Sequence, residues 1–532
     1  MASTNVSGRG LFGTVRRTVR EALQTARHPP LDITLVLPGA AGRADAGRTG
    51  SPVPLPDPAG RAVAKAVAEA AAEQARELGV PARPVVTVQE STAVGTVPRL
   101  FVAGRRARVP PAEFDAALTV RDGFVAENVN SDESTLAVTA ATSIRLAIEH
   151  DPSILMGQLQ RELLVAHARA AGIHEPDSHV LGVVLERIVA HGFAIGDLAA
   201  LRAALDKHVG LVHTAGELVE VAMHGMAKPS IEIRVSETTL RAATLHGMRR
   251  NAFVEMRQRM FRDLGVTFPD ITVAIDAEVP AQAAVVRLND VRGVPRLLSG
   301  EAGVASMVTL LEQRLRAHPS WFVSLAEVYR TIEDLKLALP DLVAAVQARY
   351  GEPKLSLFAR TFVEERVPVR NVARLMVLLL DAPPPSTGHD LVRLAEPSRR
   401  TDQRARLGAR GLVSYTRKQI NEEAARFRPG LETVEHTRLP AELDAALTAV
   451  PSDDTGIDAA VDSAHLDQLT VLAEQQLEER RDGGDRRPLL TATHRSRSVA
   501  SKLLAWQYPE IVVLATEEYP PSYRLPPADP PP

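Results

Sequence analysis

The chain has no cysteine among its 532 residues, which excludes disulfide bonds, thiolate zinc sites and thiol nucleophiles. Aromatic residues make up only 4%, so the cores have to be built mostly from Ala, Val and Leu. Long hydrophobic runs are lacking as well. The longest, Leu375 to Leu380, has six residues, whereas a membrane helix needs about 18–20. We therefore expect no transmembrane segment.

An excess of charge of one sign is also lacking. The formal net charge is −3, which gives no general attraction to nucleic acid or anionic lipid. Hydrophobic residues at 45% and charged residues at 24% are typical of a soluble globular chain. Arg16, Arg17 and Glu21 interrupt any signal-peptide core near the N-terminus. We expect a cytoplasmic protein without a cofactor.

The sequence repeats itself. Four segments of the first half recur in the same order in the second half, with drifting spacings. The pairs are Glu77–Val88 with Asp263–Val273, His150–Ser153 with His318–Ser320, Val189–Leu198 with Val363–Val372, and Leu218–Val221 with Leu412–Tyr415. Two long copies are too few for a solenoid of short stacked repeats. They indicate a duplicated module of ordinary domain size whose loops have diverged.

The repeat sets the domain map. We expect an α+β protein in which two tandem modules, each a small sheet-and-helix unit plus a helical bundle, are followed by one C-terminal α/β unit. The predicted segments are 1–30, a basic amphipathic N-terminal segment; 31–228, the first module; 229–430, the second module; 431–520, the α/β subdomain; and 521–532, a Pro-rich tail.

Alternation of apolar residues and β-branched content predict the strands. They are Asp32–Leu37, Val85–Val88, Leu100–Val102, Ile231–Val235, Ile271–Ile275, Ala284–Leu288 and Ile511–Leu514, the last buried on both faces. Helical spacing predicts Ala62–Leu78, Arg250–Leu264, Leu466–Arg481 and Val499–Trp506. Gly79 and Gly265 are expected to end the first two helices, and Gly39–Gly60 to form a loop.

The N-terminal segment has a candidate binding face. Between Leu11 and Ala26 the apolar residues lie three to four apart and the arginines lie opposite, which predicts a short basic amphipathic helix. Its candidate partner-binding residues are Phe12, Val15, Val19, Arg16 and Arg20. Such a helix packs on its own domain, docks on a partner protein, or makes weak contact with a membrane surface.

No motif of the sequence indicates an enzyme. Gly42–Thr49 follows a strand with P-loop-like spacing, but Arg48 replaces the lysine and Ser51–Pro56 follows instead of the helix that holds phosphates. The fifteen histidines form no metal-binding pattern, and there is no Gly-x-Ser-x-Gly elbow. We expect a protein that is not an enzyme. The alternative is a nucleotide-binding enzyme or hydrolase with a dispersed site.

One basic run needs an interpretation. Arg393–Arg410 contains six arginines, but no aromatic residues are interleaved to stack on bases. The run indicates a solvated loop rather than a nucleic-acid patch, so we expect protein partners and no nucleic acid.

Motifs of a known family appear in the second half. Met260–Ile271 matches a helix, turn and strand with Leu264, Gly265 and Pro269 at family positions, and Phe362–Asn371 supplies Pro368 and Arg370. The closing unit matches best, with Leu489-Leu490, Arg497, Leu503-Leu504, Pro509, Leu514 and Glu518 in order. From Arg249 onward the chain resembles the cytoplasmic region of the FHIPEP family, the export-gate proteins of flagellar and virulence type III secretion.

The resemblance implies a soluble scaffold or adaptor that binds partner proteins and forms homo-oligomers, since the family's cytoplasmic regions form rings. The first module then resembles the same region without its terminal unit. We expect the membrane half of the family to be absent. Only about thirteen residues separate Leu288 from Ala302, where the family has an insert that helps grip export chaperones. No residue of that chaperone-binding cleft is carried over.

Overall fold

The computed structural model describes residues 28–38, 53–54, 57–91, 99–107, 132–208, 214–226, 228–245, 251–298, 303–382, 415–420, 437–450, 461, 463–481, 489–504, 508 and 511–518. The predicted N-terminal helix, the P-loop-like segment, the run Arg393–Arg410 and the Pro-rich tail lie outside these residues. The described part mixes helices with several small sheets, which confirms the predicted α+β class.

The chain divides into two compact units. Unit 1 comprises residues 1–202 and 290–295, and unit 2 comprises residues 203–289 and 296–532. The predicted module boundary between residues 228 and 229 stays a prediction.

Unit 1 is a five-stranded sheet with helices. Its elements are β1 (Pro30–Pro38), β2 (Val53–Pro54), α1 (Asp57–Glu77), β3 (Arg83–Ser91), β4 (Arg99–Val102), β5 (Arg105–Ala107), α2 (Asp132–His150), the 3₁₀ turn Pro152–Leu155, α3 (Gln158–Ala170), α4 (Ser178–Ala190), α5 (Leu198–His208, which continues past residue 202) and the short strand Val291–Arg292.

The strand β1 lies at the centre of this sheet, whose order is β2-β3-β1-β4-β5. It pairs in parallel with β3 and antiparallel with β4. Leu31, Ile33 and Leu35 are buried, while Asp32 between them is exposed, because successive side chains of a strand point to opposite faces. The helix α1 crosses over between the two parallel strands and packs against α2 and β3.

The predicted loop Gly39–Gly60 is wrong at its end. The helix α1 begins at Asp57, and Val53–Pro54 adds to the edge of β3 as the short strand β2. Both differences have a physical reason. Proline is tolerated on an edge strand, and Pro58 stands in the first helical turn, where a missing N–H costs nothing.

Unit 2 contains a mixed sheet, a helical bundle and a three-stranded sheet. Its elements are α6 (Ala215–Met226), β6 (Ile231–Val235), α7 (Glu237–Leu245), α8 (Ala252–Leu264), β7 (Ile271–Ile275), β8 (Ala283–Leu288), β9 (Arg296–Leu297), α9 (Val304–Ala317), the 3₁₀ turn Pro319–Phe322, α10 (Leu325–Ala338), α11 (Pro340–Arg349), α12 (Glu352–Glu364), α13 (Val372–Asp381), β10 (Thr437–Arg438), α14 (Ala441–Ala449), α15 (Ser463–Arg481), β11 (Leu489–Thr491), α16 (His494–Leu504), β12 (Val513–Ala515) and the 3₁₀ turn Thr516–Glu518.

The first sheet of unit 2 has the order β9-β8-β6-β7. Its central strand β6 pairs in parallel with β7 and antiparallel with β8. The central strand β1 of unit 1 has the same two kinds of neighbour. The predicted strands Ile231–Val235 and Ile271–Ile275 match β6 and β7 residue for residue.

The closing α/β part has the parallel sheet β10-β11-β12 over an apolar cluster that includes Leu443 and Leu489. Two expectations need correction here. The strand predicted at Ile511–Leu514 spans Val513–Ala515, and Ile511 is half-buried rather than enclosed on both faces.

The second correction concerns a helix start. The helix predicted from Val499 begins at His494. The backbone N–H of Ser496 donates to Thr493 Oγ1 at 3.2 Å, and the N–H of Thr493 donates to Ser496 Oγ at 3.3 Å. This reciprocal pair resembles a capping box, which satisfies N–H groups at the first turn and so moves the helix start toward the N-terminus.

Glycines with left-handed backbone end α1 and α8, as predicted. Gly79 has φ +66° and Gly265 has φ +77°. The carbonyl of Leu78, just before the first glycine, accepts the N–H of Ile195 at 2.9 Å, and the carbonyl of Leu264 accepts the N–H of Val369 at 2.9 Å. Each helix end is therefore fixed to a distant segment of backbone.

Replacement of Gly265 by alanine is expected to destabilise unit 2 by about 3 kcal/mol or more, because a left-handed residue with a Cβ already costs about 1–2 kcal/mol. The added Cβ would also lie 2.2 Å from the backbone nitrogen of Arg370. The matched control is Gly351→Ala, whose Cβ meets nothing nearer than 3.8 Å and which costs at most about 1 kcal/mol.

Both tryptophans of the chain, Trp321 and Trp506, belong to unit 2, so urea unfolding followed by tryptophan fluorescence reports on this unit. Equal losses for the two variants would contradict the close approach at Gly265.

Candidate protein-binding cleft

An apolar cleft of about 100 Å³ lies in the helical bundle of unit 2. Its walls come from α10, α12 and α13, with the turn after α8 at one end. The lining is mostly apolar and includes Phe322, Val328, Ile332, Phe358 and Leu375. Few polar side chains reach it, so the cleft suits an apolar group and offers little that could fix a polar ligand.

The 3₁₀ turn Pro319–Phe322 supplies one wall. Pro319 is the first residue of the turn, and Phe322 packs on Phe268 with ring centroids 5.2 Å apart. Ser324 caps the N-terminus of α10, and its Oγ accepts the N–H of Glu327 at 3.2 Å. This cap bonds the serine oxygen to the first turn of the helix. It therefore holds Ser324 and Glu327 in place at the rim of the cleft.

A buried ion pair holds this wall in place. The guanidinium of Arg360 lies 2.5 Å from Oε1 of Glu220, and Ser356 Oγ donates to the same carboxylate at 2.7 Å. Arg360 also donates to the backbone carbonyls of Ser320 and Val323. Its donors thus fix the segment that carries Phe322 into the cleft. Nothing in the sequence pattern singled out Glu220 or Arg360.

A second buried network joins the bundle to the closing α/β part within unit 2. Arg497, with no exposed surface, donates to Oε2 of Glu365 at 2.5 Å, and Ser498 Oγ donates to Oε1 at 2.7 Å. The Nε of Arg497 lies 3.0 Å from Oε1 of Glu518 without the alignment of a hydrogen bond. Arg417 lies 3.9 Å from the other oxygen of Glu518. Arg497, Glu365 and Glu518 are thus buried together, with the half-buried Arg417 beside them.

The electrostatics of the second network follow from burial and pairing. Burial by itself raises the pKa of Glu365, but Arg497 and, more weakly, Arg417 outweigh it and hold that pKa below its ordinary value. Burial lowers the pKa of Arg497, yet Glu365 and Glu518 outweigh it and raise the pKa. Arg417 is different, since burial and then Arg497 lower its pKa.

Unit 1 has a charged cluster of its own beside the turn Pro152–Leu155. Arg105 donates to the carbonyl of Ser153 at 3.2 Å and lies 3.6 Å from the buried Glu186, which also pairs with Arg161 at 3.1 Å. Asp151 caps this turn by accepting the N–H of Ser153. Burial raises the pKa of Glu186 more than the two arginines lower it.

The residues singled out in the sequence fall in different places. Phe12, Val15, Val19, Arg16, Arg20 and Pro509 lie outside the described residues. Gly265 lines the cleft, and Arg497 and Glu518 meet in the second network. Leu264 ends α8, Pro269 and Leu514 are half-buried, and Pro368 and Arg370 are exposed. Glu365 stands inside the family stretch Phe362–Asn371, and its charge beside an apolar helix was the signal that could have identified it.

Two further observations concern other kinds of site. Among the described residues, no group of three or more histidines and carboxylates could hold a metal ion. Within the same residues, none of the helices combines the length and apolar character needed to cross a membrane.

Replacement of Glu365 by glutamine is expected to destabilise unit 2 by about 3 kcal/mol or more, because it leaves the charge of Arg497 buried with too little compensation. The control is Glu237→Gln in the exposed pair Glu237–Arg241, which is worth about 0.5 kcal/mol at most. Urea unfolding followed by tryptophan fluorescence measures both. A loss for Glu365→Gln no greater than the control's would refute the role of the network.

The same carboxylate predicts an acid-dependent loss of stability. Because its folded-state pKa is lowered, Glu365 contributes stability that is present above its unfolded pKa of about 4.3 and is lost as pH falls through the folded pKa. The urea midpoint of unit 2 is therefore expected to fall more steeply with acid in the wild type than in Glu365→Gln. Parallel curves for the two proteins would contradict the lowered pKa.

Some solved structures align with about half of this chain. No family model matches the chain, and no curated protein matches it. Similar solved structures include MxiA of Shigella flexneri (16% identity, 55% of this chain and 96% of that chain, TM-score 0.39) and CdsV with CdsO of Chlamydia pneumoniae (17%, 56% and 96%, TM-score 0.41). Another is the nonameric EscV cytosolic domain from the type III secretion system (13%, 54% and 92%, TM-score 0.37). These structural neighbours are cytoplasmic domains of FHIPEP export-gate proteins, the family whose motifs the sequence resembles.

Proposed function

We propose that this chain is a non-enzymatic, cytoplasmic scaffold that binds partner proteins through the apolar cleft of unit 2. The observation that carries the proposal is the cleft itself, a concave apolar surface whose wall is fixed by the buried Arg360. The occupant is an apolar side chain of a protein segment. A cavity of this order accepts a ring-sized apolar group, and the few polar atoms at the rim suit a protein backbone.

The proposal includes the duplication of a module. Support comes from contacts that recur at matching positions of the repeat. The Ile195 N–H donates to the Leu78 carbonyl, and the Val369 N–H donates to the Leu264 carbonyl. A proline-initiated 3₁₀ turn follows α2 in unit 1 and α9 in unit 2. A duplicated module that has lost loops keeps binding surfaces but no reaction centre, and this combination is what a scaffold needs.

Self-association is the second part of the proposal. The motifs resemble a family whose cytoplasmic regions form rings, and repeated copies would add avidity to weak individual contacts. The segment with Phe12, Val15 and Val19 remains a further candidate contact. Burying three such side chains contributes roughly 1.5 kcal/mol each before ordering costs. That is enough for weak docking only.

The cleft is tested by filling it. Ala359 lies in the lining on α12, so Ala359→Phe is expected to reduce partner recovery in a pull-down at least about tenfold, an effect of about 1.4 kcal/mol. The matched control, Ala348→Phe, adds the same ring to an exposed position of α11 and is expected to leave recovery unchanged. A chain starting at Leu31 tests the N-terminal segment in the same assay.

Three results would overturn parts of the proposal. Equal recovery with Ala359→Phe and Ala348→Phe would remove the cleft as the binding surface. A strict monomer across micromolar concentrations would remove self-association. Reproducible nucleotide hydrolysis that is lost in Arg48→Ala would replace the scaffold by an enzyme.

A further inference from the structure

Among the described residues, the strand β7 is a five-residue sheet edge that no other strand covers. Edge strands present unpaired N–H and C=O groups, and proteins usually shorten them or add charge or proline. The other edge strands follow this rule: β2 has two residues with a proline, β5 has three with two arginines, and β9, β10 and β12 have two or three. By contrast, β7 has five residues, Ile-Thr-Val-Ala-Ile, without charge or proline.

The backbone of β7 has a defined outward side. The Asp276 N–H donates to the carbonyl of Val235 in β6 at 2.9 Å. Since alternate residues of a strand direct their N–H and C=O to opposite sides, Thr272 and Ala274 face β6. The outward groups therefore belong to Ile271, Val273 and Ile275, and no described segment pairs with them.

Apolar side chains accompany these outward groups. Ile275 is 59% exposed, and Ile271 and Val273 are half-buried on the same face of the strand. A strand added here would gain backbone hydrogen bonds and would also cover apolar surface. Recognition by strand addition uses this combination of main-chain bonds and alternate side chains.

Unit 1 contains an edge of the same kind that is occupied at two of its residues. There the parallel pair β1–β3 corresponds to β6–β7, and the outer edge of β3 carries β2 in an antiparallel pairing, with Val53 opposite Glu90 and Pro54 opposite Gln89. The corresponding edge of β7 has no such strand among the described residues. The occupied edge shows the direction that an added segment can take.

Charge identifies the occupant. In antiparallel self-pairing of two copies about Val273, Asp270 of each copy would lie opposite Asp276 of the other, and like charges directly opposite are destabilising. Asp270 is 96% exposed, and its pair with Arg257 at 2.6 Å is a surface pair of small worth. Asp276 forms an ion pair with Arg234 at 3.6 Å. The acidic ends of the strand disfavour a second copy and favour a basic partner.

We propose that the edge of β7 receives an extended segment of a partner protein, antiparallel, apolar at alternate positions and basic at its ends. This inference rests on the proposed protein-binding function and names a second surface for it. The outward groups of Ile271, Val273 and Ile275 supply its main-chain bonds, and Asp270 meets one of its basic ends.

The probe is a labelled peptide, acetyl-Lys-Val-Thr-Val-Thr-Val-Lys-amide, titrated with the full chain by fluorescence anisotropy. Its valines match the outward residues, so their N–H groups face β7. N-methylation of the three valines is expected to weaken binding at least about tenfold, because each lost bond is worth about 0.5–1.5 kcal/mol. N-methylation of the two threonines is expected to change binding less than about twofold. Absence of binding, or equal weakening by both patterns, would overturn the proposal.

Variants of the chain test the same edge from the other side. Val273→Pro removes an outward N–H and leaves the ladder to β6 intact, a position where an edge strand tolerates proline. It is expected to weaken peptide binding at least about tenfold, while Val273→Thr, which keeps the N–H and the branched shape, leaves it within about twofold. If Val273→Pro does not fold, the methylated peptides decide alone.

Failure of the edge is distinguishable from failure of the scaffold function. If pull-down partners are lost in Ala359→Phe but the peptide does not bind, the edge proposal is overturned and the cleft stands. If the peptide binds in the expected pattern and Ala359→Phe changes nothing, the edge is supported and the cleft is removed.

Discussion

The buried charge of Arg497 is the constraint on which unit 2 depends. A guanidinium without exposed surface is tolerated only with compensating charge and hydrogen bonds. Here Glu365 provides a charge and a hydrogen bond, and Glu518 provides a second charge. The first stands just after α12 and the second in the closing 3₁₀ turn, so bundle and α/β part must meet in one arrangement. The closing part has an apolar cluster of its own, and the ion network adds a charged contact that fixes how this part meets the bundle.

Two buried arginines of unit 2, Arg497 and Arg360, have different tasks. Arg497 joins segments far apart in sequence, whereas Arg360 satisfies carbonyls of a short turn and so shapes the cleft. In unit 1 the corresponding turn is served by Arg105 from a strand, while the buried position on α4 is Glu186. The turn needs a cation near its carbonyls, but the fold allows that cation to come from different elements. Under the proposed duplication, such exchange explains why the repeat is hard to see in charged positions.

Much of the fold could be predicted because its signals are local. Alternation located β6 and β7 to the residue, and the glycines that end α1 and α8 were visible as stops in helical patterns. The start of α16 was missed because it depends on a side-chain cap between Thr493 and Ser496. The cleft and the ion networks could not be predicted, since Glu220 and Arg360 are 140 residues apart. Only tertiary packing brings such pairs together.

Unit 2 pairs its buried charges but leaves the edge of β7 uncovered among the described residues. The buried charges of Arg360 and Arg497 are paired in the interior, where removal of one partner is costly. The apolar cleft is lined by buried residues of the bundle's own core, whereas no described strand covers the outer edge of β7. An uncovered edge strand without charge or proline can pair with another chain. A single lysine in place of Ile275 would be enough to protect this edge. That β7 keeps an apolar sequence between two aspartates is therefore consistent with an edge that has a specific occupant.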